Sequence, residues 1–76
     1  MVIVQIEGDV LTAREALALH YRLLAKREEI VESKHHDCLL DIRGIGRICT
    51  DARRVIGRFI EWAHDRKACL VLVLLL

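Results

Sequence analysis

Two rhythms of apolar and polar residues run through this chain. Val2-Ile-Val-Gln-Ile6 is short, apolar and β-branched, which predicts a first strand, and Gly8-Asp9 then reads as a turn. From Ala13 the spacing lengthens: Ala16, Leu17, Leu23, Leu24, Ile30 and Val31 recur at helical intervals on a background of Arg, Lys and Glu. This predicts a helix to about Glu32, with Thr12 as its N-cap and Glu15 completing a capping box. Ser33-Lys-His-His36 is a polar connection. Cys38-Leu-Leu-Asp-Ile42 predicts a second strand, ended by Gly44-Ile-Gly46. Thr50 is placed to cap a second helix, with Asp51 favourably set in its first turn. Ala52, Val55, Ile56, Phe59, Ile60 and Ala63 form one side of that helix, and Arg53, Arg54, Arg58, Glu61 and Asp65 the other. Ala68 to Leu76 is a continuous apolar run and predicts a third strand.

The expected order is β-α-β-α-β, a single α/β domain over residues 1–76 with a mainly parallel three-stranded sheet. Continuously apolar second and third strands imply burial on both faces, as in parallel sheets. Two helices cover one face only. The other face, or the edge of the third strand, is then expected to be covered by a partner chain or by residues beyond Leu76.

Composition narrows the function. At 76 residues a chain buries roughly 60% of its unfolded surface, so a second subunit would help its stability. A hydrophobic fraction of 54% with 30% charged residues describes a globular chain. A net charge of +1 gives no reason to expect nucleic acid or acidic membranes, and a single Trp and a single Tyr make no base-stacking platform. The final apolar run falls short of the roughly 20 residues that a bilayer requires. Three cysteines at irregular spacing, with no signal peptide at Met1, lead us to expect free thiols and a cytoplasmic protein.

Several constellations could carry chemistry. Gly44-Ile-Gly46 between a strand and a helix has the look of a phosphate loop. It lacks the third glycine of a dinucleotide site and any Gly-Lys-Ser/Thr, so a plain turn is the reading. His35-His-Asp-Cys38 lines up metal-capable side chains, but adjacent extended residues point in opposite directions and no ligand spacing supports them. Cys38 and Cys69 are expected at the starts of neighbouring strands, as small core residues. Cys49 precedes a helix, where a thiol is easily activated, yet no histidine is placed beside it. His20 and His64 are expected at boundary positions with no ligand role. Arg43, Arg47, Arg53, Arg54 and Arg58 cluster around the loop and second helix; a solvated face is the default, and an acidic partner surface the alternative. No catalytic set, cofactor or metal is expected.

In this order the chain resembles the STAS, or anti-anti-sigma-factor-like, domains. The resemblance is carried by Ile3 to Gly8, the helix from Thr12, Leu40-Asp-Ile-Arg-Gly-Ile45 and the helix from Thr50. It implies a non-enzymatic interaction or regulatory domain, here lacking the family's last helix. The family's Asp-Ser-Ser-Gly motif, with its phosphorylated second serine, falls on Cys49, Thr50, Asp51 and Ala52. The resemblance therefore implies a degenerate phosphosite, with Asp51 as a fixed charge and Thr50 as a weak substitute. The expected partner is another protein or a second copy, so a homo-oligomer. Its surface would comprise Gly44, Gly46, Arg47, Thr50, Asp51, Arg53 and Arg54. Binding of a small anion or nucleotide at the same strand ends is the alternative.

Overall fold

The computed structural model describes residues 2–32, 38–65 and 71–74. Among the described residues seven elements follow one another: β1 (Val2–Gln5), β2 (Gly8–Val10), α1 (Ala13–Glu32), β3 (Cys38–Asp41), β4 (Ile45–Ile48), α2 (Thr50–Asp65) and β5 (Val71–Leu74). The fold is α/β and every strand pair is parallel. The strands do not form the single three-stranded sheet expected from the pattern. They divide into β1-β3-β5 and a separate pair, β2-β4.

The extra pair corrects two readings. Gly8-Asp9 is a strand rather than a turn, and Gly44-Ile-Gly46 turns straight into β4 rather than into a loop before the helix. Neither strand announces itself, because one has three residues and the other has glycine and arginine at its centre, residues that favour no strand. Their pairing is tertiary. Two adjacent strands bend together and stay joined: the Ile6 amide donates to the Asp41 carbonyl and the Gly8 amide to the Gly44 carbonyl, both at 3.0 Å. A turn closed by Ile45 N–H to the Ile42 carbonyl carries the second strand round the bend. Gly8 does the same for the first at φ 78°, a left-handed conformation that glycine adopts without strain.

Both helices pack on one side of the main sheet. Val4, Ile6, Cys38 and Leu40 from the strands meet Ala16, Leu19, Leu23 and Ile30 of α1 and Ala52, Ile56 and Phe59 of α2 in one core. Alternation along β1 and β3 turns Val4, Cys38 and Leu40 to this core. Ile3 and Gln5 lie on the opposite face, exposed, and Leu39, beside Ile3 in register, is half-buried. Among the described side chains this face is open at Ile3 and Gln5 of β1 and partly covered at Leu39 of β3. At the β1 edge, Arg22 Nη2 donates to the free Gln5 carbonyl at 3.1 Å.

Helix α1 matches its expected bounds, but not every apolar position is inside. Leu17 and Val31 are exposed and Leu24 half-buried, because among the described residues the sheet and α2 cover one side of α1 and a second apolar stripe faces out. The third strand is described only over Val71–Leu74, and Cys69 lies outside the described residues.

Candidate functional site

Both helices start at the end of the small sheet, β2 leading into α1 and β4 into α2. At α1 the capping box forms as read. Glu15 N–H donates to Thr12 Oγ1 at 3.1 Å, and Thr12 N–H to Glu15 Oε1 at 3.2 Å. At α2 the first helical bond runs from Arg53 N–H to the Cys49 carbonyl at 3.0 Å. Cys49 is therefore the N-cap, and Thr50 is the first helical residue rather than the cap. The Cys49 Sγ lies 3.9 Å from the Thr12 carbonyl, so the two helix starts sit side by side.

The expected surface residues divide. Gly44, Gly46 and Arg47 belong to the small sheet. Asp9 organises them: its Oδ1 accepts the Arg47 amide at 2.8 Å, and its Oδ2 lies 3.5 Å from Arg47 Nη2. This bond needs glycine at 46, since a Cβ there would run into Asp9 Oδ1. Gly44 packs against Glu7, whose Cγ would stand 3.1 Å from a Cβ. The amides of Ile45, Arg47 and Cys49 are all already engaged, by Ile42, Asp9 and Val10. A phosphate-cradling loop needs such amides free.

Thr50, Asp51, Arg53 and Arg54 are exposed on the first turns of α2. Asp51 and Arg54 open onto a groove of about 370 Å³ between the helices. Ala13, Ala16, Leu17 and Val55 supply its apolar lining, and His20 and Arg58 its remaining polar groups. His20 is half-buried, a boundary position as expected, whereas His64 is exposed. Arg43, grouped in the sequence with the other arginines, is committed elsewhere. Its Nε and Nη2 donate to Asp41 at 3.1 and 3.0 Å, and its amide to the same carboxylate at 3.0 Å. These bonds from Arg43 hold the Asp41 carboxyl below its usual range.

At the far end of the helices the Arg27 guanidinium lies over the Trp62 ring, 5.0 Å from its centre. The sequence does not reveal this pair, because nothing in it tells which turn of one helix meets which turn of the other. With helix starts in contact at one end and this pair at the other, α1 and α2 run parallel. Cys38 is buried, and burial pushes its thiol pKa up, away from nucleophilic use. His35, His36 and Asp37 lie outside the described residues, among which no group of three metal-capable side chains gathers. Among the described residues no helix is long and apolar enough to cross a membrane.

No protein-family model matches the chain, and no curated protein or solved structure is significantly similar to it.

Proposed function

We propose that this chain is a non-enzymatic, STAS-like interaction domain that associates with itself. The observation that carries the reading is the amount of large apolar side chain left outside a small fold. Ile3 is 58% exposed, Leu17 53%, Tyr21 62% and Val31 44%. Three of these four share α1, and a clustered exposed apolar surface marks contact with another macromolecule more often than scattered singles do. The STAS-like part rests on the β-α-β-α-β order that remains when the small β2-β4 sheet is set aside, and on the Leu40-Asp-Ile-Arg-Gly-Ile45 string leading to the α2 start. On this reading Asp51 supplies a constant charge at the helix start in place of a phosphorylation switch. The surface from Gly44 to Arg54 would then be constitutive rather than regulated.

Light scattering across a dilution series tests the central claim. A dimer at micromolar concentration that dissociates on dilution is the expected result. A monomer throughout that range would sink the reading.

A further inference from the structure

The outer side of α1 carries a second repeat, independent of the one it buries. Arg14, Leu17, Tyr21, Leu24, Glu28 and Val31 follow one another at intervals of three and four, the spacing of a coiled-coil seam. Leu24 is half-buried and the other five are exposed. The seam is electrically polar as well. Its start is basic on balance: Arg14 on α1 and Arg54 and Arg58 on the neighbouring turns of α2 outnumber Asp51, which lines the same groove as Leu17. Its end is acidic on balance: Glu28 and Glu32 outnumber Arg27, whose guanidinium lies over the Trp62 ring. None of Arg14, Arg54, Arg58, Glu28 and Glu32 has an ion pair among the described residues.

The geometry points to an antiparallel dimer in which this face of α1 packs on the same face of a second copy. The inference rests on the self-association proposed above and specifies its surface. Antiparallel pairing brings the basic start of each α1 to the acidic end of the other, twice over, related by a two-fold axis near Tyr21 and Leu24. Leu17 then lies near Glu28 and Val31 of the other copy, and Arg14 near Glu28 and Glu32. Parallel pairing would set arginine against arginine and glutamate against glutamate, which opposes association. The antiparallel contact uses the same patch on both copies, so it closes at two and leaves no end to grow from.

The self-complementary charge makes a decisive exchange experiment possible. Arg14→Glu with Arg58→Glu turns the basic start acidic, and Glu28→Arg with Glu32→Arg turns the acidic end basic. On α1, Arg14→Glu and Glu32→Arg suit the helix dipole, acid at its start and base at its end, and Glu28→Arg and Arg58→Glu replace exposed side chains on α1 and α2. Sedimentation and light scattering are run on the wild type, each double variant, their equimolar mixture and the quadruple variant, with circular dichroism to confirm helix content. Each double variant alone is expected to lose roughly tenfold or more in dimer affinity. The mixture and the quadruple variant are expected to regain it, because opposite charges meet again. Double variants that dimerise as well as the wild type would overturn this interface and leave self-association standing. Weak double variants whose mixture and quadruple form stay weak would overturn the antiparallel pairing. A monomeric wild type would overturn both this inference and the reading beneath it.

Discussion

Asp41 ends β3 as the one buried charged side chain among the described residues, and Arg43 answers it. Residues two apart on a strand share a face, so the arginine needs only a bend after Asp41 to bring both its fork and its amide to the carboxylate. Burial without this partner would raise the carboxyl pKa; with it, the Arg43 hydrogen bonds prevail and the pKa falls. The native state thus holds the ionised form more firmly than the unfolded chain does. That stability is fully present above the unfolded carboxyl pKa of about 4 and is lost as pH falls through the depressed native value. Asp41→Asn should therefore unfold more easily than wild type at pH 7, and the difference should shrink on acidification below about pH 4. Urea melts at pH 7, 5, 4 and 3 read this directly; a constant difference across the series would rule out the charge as the cause. The Leu-Asp-Ile-Arg string is plain in the sequence, but nothing in it shows the bend that folds Arg43 back onto Asp41. The role of Asp9 is hidden in the sequence for a different reason: its partner, Arg47, lies in a strand whose pairing only the folded chain creates.

Helices were the most legible elements, since 3.6-residue periodicity survives over many residues while a three-residue strand offers almost none. The N-caps show where that legibility ends. Thr12 and Glu15 form a two-residue pattern that identifies itself, and both of its bonds are present. Thr50 has no matching Glu or Gln three residues on, and the cap lies one position earlier, on Cys49. A thiol caps poorly. Thr12→Ala is accordingly expected to cost about 1 kcal/mol, whereas Thr50→Ala should stay within about 0.5 kcal/mol of wild type. Cys49→Ser, which puts a hydroxyl at the true cap, should gain up to about 1 kcal/mol. Thermal or urea unfolding of the three variants ranks them. If Thr50→Ala proved as costly as Thr12→Ala, the cap would lie at Thr50 after all.

At the scale of the molecule, two helices on one side of a parallel sheet leave two apolar surfaces outside: the far sheet face around Ile3, and the α1 seam around Leu17 and Tyr21. The sequence pattern foretold the first, because two helices cover only one face. It left the second hidden, because apolar positions at helical spacing read alike whether they face in or out. Leu17 and Leu23 look equivalent in the sequence, yet one is 53% exposed and the other 3%. Only the direction of α2, parallel to α1 and lying along one of its flanks, decides between them. The two surfaces can be told apart by linkage. A dimer that unfolds to monomers melts at higher temperature as its concentration rises, because mass action favours the associated state. Leu17→Lys and Ile3→Lys each replace an exposed side chain and should change the stability of the folded monomer by no more than about 0.5 kcal/mol. Leu17→Lys is expected to abolish the dependence of Tm on concentration, while Ile3→Lys should leave it intact. Raising salt should flatten the wild-type dependence, since the pairs at the seam ends are exposed to screening. The reverse result, with Ile3→Lys removing the dependence and Leu17→Lys preserving it, would move the contact to the sheet face and make the helical layer the outer surface of the dimer.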